Sequence, residues 1–216
     1  MKFSFLPRAT ATLVCAASLA ALLGGCAPLL LGGVAAGGVL VSTDRRTSGT
    51  QLEDEGIELR SASRLSEQFG ERGHFNVTSF NRQALLTGEV PTEADKAKAE
   101  RTVAGVDNVR TVVNELAVLG NSTLTQRSND ALVSGRVKAA LVDAQDLTVH
   151  AFKVVTERGT VYLMGRVTQR EATRATAVVR GVQGVQRVVR VLEIISEAEL
   201  ARLTPKPAAP APAPAY

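Results

Sequence analysis

Tryptophan is absent from this 216-residue chain, and aromatic residues make up only 4% of it. Any buried core must be assembled from Val, Leu, Ile and Ala, which suits small sheets and slim helices and leaves little for a bulky cofactor cage. Cysteine is nearly as scarce, with Cys15 and Cys26 alone. Cys15 leaves with the leader described below, so the mature chain can form no intrachain disulfide, and catalysis or metal binding by cysteine is excluded. His74 and His150 have no Cys, Asp or Ser partner at a recognisable spacing and read as surface or packing residues. Neither Gly-x-Gly-x-x-Gly nor a Gly-Lys-Ser/Thr loop occurs, so the glycines mark turns and caps and not a phosphate cradle. No enzyme activity, cofactor or metal is therefore expected. A strong charge of one sign is also missing: without Lys2 and Arg8 of the leader, 23 basic residues face 21 acidic ones, which is no signature of nucleic-acid binding.

What is present begins with a leader. Lys2 and Arg8 precede an apolar run from Ala9 to Leu23, followed by Leu23-Gly24-Gly25-Cys26. This is a secretory signal peptide over residues 1–25 ending in a lipobox, with small residues where the cut bond and the thioether must fit a processing peptidase. Cys26 is the expected lipidation site. Three acyl chains, each gaining about 0.8 kcal/mol per buried methylene, hold such a protein on its membrane. Ala27 follows in place of the Asp that commonly retains lipoproteins in the inner membrane, so an outer-membrane, periplasm-facing location is expected. The glycine-rich apolar stretch Leu29–Val41 is too short to span a bilayer, which needs about 20 residues. Residues 26–51 thus read as anchor and tether, and folding is expected from about Leu52.

The chain then repeats itself, with an offset of 77 that becomes 76. Leu85-Leu86-Thr87-Gly88-Glu89-Val90 precedes a helical stretch and Gly105-Val106-Asp107-Asn108-Val109; Tyr162-Leu163-Met164-Gly165-Arg166-Val167 precedes a helical stretch and Gly181-Val182-Gln183-Gly184-Val185. Alternation predicts strands at 75–79, 84–90 and 109–118 in the first copy, and at 149–155, 160–167 and 185–195 in the second. Helical spacing predicts helices at 54–69 and 93–104, and at 129–143 and 169–180, the last capped by Gly181. Each copy is expected to be a two-layer α+β unit of order αββαβ, two helices covering a three-stranded mixed sheet. The units span 52–119 and 128–196, joined by a linker at 120–127. Residues 51–120 carry 12 acidic and 8 basic residues and residues 121–203 the reverse, which hints that the halves meet different surfaces. Thr204–Tyr216 alternates Pro and Ala and is expected to be an extended, disordered arm.

The Gly-x-Val, helix, Gly-Val-x-x-Val skeleton, present twice, resembles the BON domain of bacterial envelope proteins. Behind a lipobox, Ser42-Thr43-Asp44-Arg45-Arg46-Thr47, Glu58-Leu59-Arg60, Asn76-Val77-Thr78 and Ser128-Asn129-Asp130 resemble segments of dual-BON outer-membrane lipoproteins. The resemblance spans roughly residues 26–200. It implies a part in outer-membrane integrity and contact with anionic, phosphatidylglycerol-like phospholipid through the first helix of the second repeat.

The residues themselves bear on that last implication. At 100° per residue, Val133, Val137, Ala140, Leu141 and Ala144 share the expected core side of the 129–143 helix. The far side carries Ala131, Leu132, Gly135, Ala139 and Val142, edged by Arg136 and Lys138. An apolar strip between cations suits a phospholipid headgroup layer, since buried apolar area adds about 25 cal/mol per Å² and each cation near an anionic surface about 1 kcal/mol. A dual-domain member of the family has an aromatic where Leu132 stands, so that deep anchor is missing here. The matching first-repeat helix is expected to bury Leu59, Ala62, Leu65 and Phe69 and to present Arg60, Arg64, Glu67 and Gln68 to solvent. Arg166, Arg170 and Arg174 offer a second basic stripe or an ordinary soluble face. The alternative to lipid binding is a scaffold whose strip and Pro-Ala tail contact envelope-assembly or cell-wall-remodelling proteins.

Overall fold

Among the described residues, threonine starts every long helix. The computed structural model describes residues 44–203, so Cys26, the leader, most of the tether and the Pro-Ala arm lie outside the described residues. The side chains of Thr47, Thr92, Thr123 and Thr168 each accept a first-turn backbone N–H, and at Thr123 and Thr168 the third helical residue, Gln126 or Glu171, reaches back to complete a capping box. The elements are α1 (Ser48–Phe69), β1 (His74–Phe80), β2 (Gln83–Val90), α2 (Glu93–Ala104), β3 (Thr111–Asn114), β4 (Ala117–Val118), α3 (Leu124–Asp143), β5 (Phe152–Glu157), β6 (Thr160–Thr168), α4 (Gln169–Arg180), β7 (Arg187–Ile195) and α5 (Glu197–Leu203).

Each repeat is an αββαβ unit with a mixed sheet. β1 and β5 run antiparallel to β2 and β6, which in turn pair in parallel with β3 and β7, so the second strand is central in both sheets. The single strand expected at 109–118 is broken, because Asn114 turns its side-chain oxygen to the N–H of Leu116 and interrupts the ladder. Similarly, Val149–Ala151 forms a 3₁₀ turn ahead of β5.

The hairpins turn on a repeated device. Asn81 and Arg82 in one repeat, Arg158 and Gly159 in the other, all have positive φ, as a tight two-residue turn requires. Their four N–H groups donate to one buried carboxylate per repeat: Asn81 and Arg82 to Asp54, Arg158 and Gly159 to Asp130. That clamp sets the rotation of α1. Asp54, Ile57, Ser61, Leu65 and Phe69 are buried, while Leu59, expected in the core, is 73% exposed and Ala62 is exposed as well. Leu65 and Phe69 are buried as expected, but upstream the inward stripe runs through Asp54, Ile57 and Ser61, which hydrophobicity alone does not pick out.

Glycine is needed where the central strand passes closest to its neighbour. Gly88 and Gly165, equivalent in the repeat, have φ of 118° and 157°, and a Cβ there would run into the carbonyl oxygens of His74 and Ala151.

Two helix–sheet cores form, one around Ile57, Leu65, Leu86 and Val103, the other around Val137, Leu141, Leu163 and Val179. A third gathers Phe80, Leu85, Tyr162, Met164 and Val191 from the opposite faces of both sheets. The repeats therefore pack sheet against sheet, with helices outermost. This explains much of the uneven charge: acids of the first repeat pair with bases of the second, Glu58 with Lys153, Glu89 with Arg158 and Glu115 with Arg187.

Three expected boundaries move. The folded part begins by Asp44–Arg46, inside the expected tether, because Arg46 bridges Asp44 and Asp54 and stacks 4.1 Å over Phe80. The expected linker at 120–127 is partly helix: Ser122 is buried and donates its N–H to Glu89, and α3 starts at Leu124. After β7, α5 adds a short helix that the hydrophobic pattern did not signal, and its Glu199 holds Arg166.

Candidate functional surface

Sheet-to-sheet pairing leaves the outer face of α3 uncovered. Val133, Val137, Leu141 and Ala144 face the core as expected, with Ala140 half-buried. On the other side Ala131, Leu132, Gly135, Ala139 and Val142 are all exposed, Leu132 at 59% and Val142 at 61%. Leu124, 80% exposed, lies three helical turns before Gly135 on the same side and lengthens the strip. The sequence pattern does not reveal it because the helix, capped by Thr123, starts five residues ahead of the expected position. Lys138 is exposed and unpaired by any described residue, whereas exposed Arg136 leans toward its own domain, 3.5 Å from the carbonyl of Gln183.

The equivalent face of α1 differs in its edges. It exposes Leu52 and Leu59, not the purely polar surface expected, and the residues beside them are Glu55 and Glu67. Arg60 and Arg64 are drawn off to the carbonyls of Asp107 and Gly105. Both first helices thus present apolar strips; Arg60 matches Arg136 and Glu67 matches Asp143 in the repeat, so the edges differ in Glu55, where the second repeat has Ala131, and in Lys138, where the first has Ala62.

The arginine stripe is not a free surface. Arg166 lies on β6 and pairs with Glu193 and Glu199, Arg174 pairs with Asp146 at 3.0 Å, and Arg170 reaches the carbonyl of Asp146.

His150 is exposed, but His74 is not the isolated residue its sequence neighbours suggest. At the seam between the repeats its Nδ1 lies 3.1 Å from Oε2 of fully buried Glu89, and Glu157 of the second repeat stands close by. Burial pushes the Glu89 carboxyl up, yet the Ser122 N–H, Arg158 and His74 outweigh it and hold the group below the usual carboxylate range. Glu157 goes the other way: burial raises it, Asn76 offsets only part, and the Glu89 charge adds to the rise. No spacing in the sequence joins residues from β1, β2 and β5.

Comparison with known proteins agrees with the repeat. The BON-domain model matches residues 53–120 and again 129–196. The chain belongs to the BON-domain family. Outer membrane lipoprotein DolP of Haemophilus influenzae is 35% identical over 156 residues, covering 71% of this chain and 80% of that protein. The 21 kDa hemolysin of Actinobacillus pleuropneumoniae is 32% identical over 139 residues, 63% of this chain and 72% of that one. CdsD, a structural protein of the type III secretion system of Chlamydia trachomatis, aligns over 71% of this chain and 96% of its own at 15% identity, but its TM-score of 0.29 carries no weight.

Proposed function

We propose that this dual-BON chain is an outer-membrane lipoprotein, anchored through acylated Cys26 and facing the periplasm, whose second BON domain lies on anionic phospholipid by the outer face of α3. Its role on this reading is non-catalytic support of the envelope. The observation that carries it is the uncovered strip of Leu124, Ala131, Leu132, Gly135, Ala139 and Val142, interrupted by Ser128 and edged by Arg136 and Lys138. Burying it in the headgroup layer gains about 25 cal/mol per Å², and the two cations about 1 kcal/mol each on an anionic surface. The relative named an outer membrane lipoprotein supports the location, as does the lipobox.

The test is sedimentation of a non-acylated chain lacking residues 1–41, hence without leader or apolar tether, with vesicles of phosphatidylcholine alone or with added phosphatidylglycerol. Binding is expected only to the anionic vesicles, weakened by salt, by Leu132→Glu and by Lys138→Glu. Equal indifference to both vesicle types overturns the lipid reading in favour of a protein scaffold.

A further inference from the structure

The seam between the two BON domains holds a group of side chains that the lipid surface does not use. His74 and Glu89 come from β1 and β2 of the first domain, Glu157 from the end of β5 in the second, and one ligand atom from each lies within 4.8 Å of the others. Two donors about 2.1 Å from a tetrahedral metal ion stand roughly 3.4 Å apart, so small side-chain adjustments bring these three to bonding distance. The residues are half-buried to fully buried, unlike an acidic patch on a solvated surface.

Two further features point to a cation. The first is Glu157, only 8% exposed, whose one hydrogen-bond partner is the neutral amide of Asn76; among the described residues no cation forms an ion pair with it. Arg158, next in the chain, turns instead to Glu89, and both oxygens of nearby Asp130 are taken by backbone N–H groups. A buried carboxylate facing a second one without a counter-charge is costly in protein interiors. The second is the position of the Asn76 amide. Its nitrogen is 3.0 Å from Glu157 Oε2 and 3.5 Å from His74 Nε2, so a weak donor sits where two acceptors converge. Rotating that amide by half a turn would present its oxygen to the same point.

His74 is also oriented as metal-binding histidines are. A proton on Nδ1 donated to Glu89 leaves the Nε2 lone pair facing the Asn76 amide, which also reaches Glu157, and such a carboxylate behind the imidazole fixes the tautomer and raises ligand basicity. A cavity of about 410 Å³ lined by His74, Asn76, Arg127, Asp130, Thr156 and Glu157 gives entry.

We propose that this seam binds one divalent metal ion of the zinc class, held by His74 and Glu157 with Glu89 as a third ligand or as the carboxylate orienting His74. Imidazole and carboxylate together suit zinc and its neighbours better than calcium or magnesium, which prefer oxygen alone. Because the ligands come from both domains, the ion ties one to the other.

The experiment uses the untagged full chain in detergent, stripped with chelator. Cobalt(II) is titrated as a spectroscopic probe, and zinc affinity is measured by competition with a chromophoric chelator. The expected result is one ion per chain, visible cobalt bands shifted from those of the aquo ion, and a thermal midpoint that rises with free zinc. His74→Gln and Glu157→Gln should each weaken zinc about tenfold or more, while His150→Gln, on the surface, leaves affinity unchanged. Asn76→Asp, an exposed position that disturbs no core, should tighten binding by adding a carboxylate at the same point. Absence of stoichiometric zinc and cobalt binding overturns the proposal, as does binding that is indifferent to both Glu157→Gln and Asn76→Asp.

Discussion

Arg45 and Glu171 form a two-pronged ion pair, with Nη1 2.8 Å from Oε2 and Nη2 2.7 Å from Oε1, and their side chains are only 7% and 3% exposed. Arg45 precedes the first helix of the first domain, whereas Glu171 closes the capping box of α4 in the second. The stretch that leads toward Cys26 is therefore fastened to the far domain as well as to its own. Removing one member of a buried pair leaves an unpaired charge in the interior. Arg45→Ala should cost about 3 kcal/mol, read as a lower urea midpoint with little change in slope.

The same pair sets an acid limit on stability. Burial pushes Glu171 up, but the hydrogen bond and charge of Arg45 and the N–H of Thr168 together hold it below its ordinary value of 4.5. A carboxylate depressed in the folded state binds protons more weakly there than in the unfolded chain. Its contribution is complete above the unfolded value and fades as pH falls through the folded one. Wild type should lose stability on acidification below about pH 5, and Arg45→Met should flatten that limb while lowering the neutral plateau. Urea titrations of both proteins between pH 3 and 7 check this.

The turn clamp makes a local prediction. Asp130→Ala would strip the partners from the N–H groups of Arg158 and Gly159, and an unsatisfied buried donor costs about 1–3 kcal/mol. We expect a loss of about 2–4 kcal/mol in total, with hydrogen exchange at those two amides speeding up far more than in α4. Unchanged exchange at Arg158 and Gly159 would remove the clamp from the account of the fold.

How much of this was legible in the sequence depends on where each signal resides. α2 and α4 run over the expected residues because Thr92 and Thr168 cap them, glycines follow them, and their apolar spacing is regular. The rotation of α1 is hidden because its inward stripe includes the polar residues Asp54 and Ser61, and Asp54 finds its partners only once the hairpin turn and Ser79 arrive. The sheet-to-sheet core was hidden because the outward side of β2 reads Leu85, Thr87, Glu89, a half-polar alternation that resembles a solvated face. Glu89 is dry only because Arg158 and Ser122 meet it there. His74 and Glu157 are brought together by that same packing, 83 positions apart, and no local pattern can report it.

That packing is itself testable. Leu85 and Met164 are both fully buried in the core shared by the two sheets. Leu85→Ala should cost about 2–5 kcal/mol, as for other large-to-small core changes. Met164→Lys should do more, placing a charge between the sheets and separating the domains, so that one cooperative unfolding transition becomes two. A single transition of unaltered midpoint in Met164→Lys would mean that the sheets do not bury each other in solution.

The two first helices permit a test of what makes a strip membrane-seeking. α1 exposes Leu52 and Leu59 as openly as α3 exposes Leu132 and Val142, so apolar area alone does not separate them. Their edges do: Glu55 of α1 would be repelled by an anionic surface where α3 has Ala131, and Lys138 of α3 is drawn to it where α1 has Ala62. Each cation at such a surface is worth about 1 kcal/mol, so reversing two acids to lysine should tighten vesicle binding by at least tenfold. The double variant Glu55→Lys with Glu67→Lys, made in a chain whose α3 strip is silenced by Leu132→Glu, is therefore expected to regain binding to phosphatidylglycerol vesicles at low salt and lose it at high salt. If it stays in the supernatant at every salt concentration, the charged edges do not decide the matter, and the length of the α3 strip, extended by Leu124, becomes the better explanation.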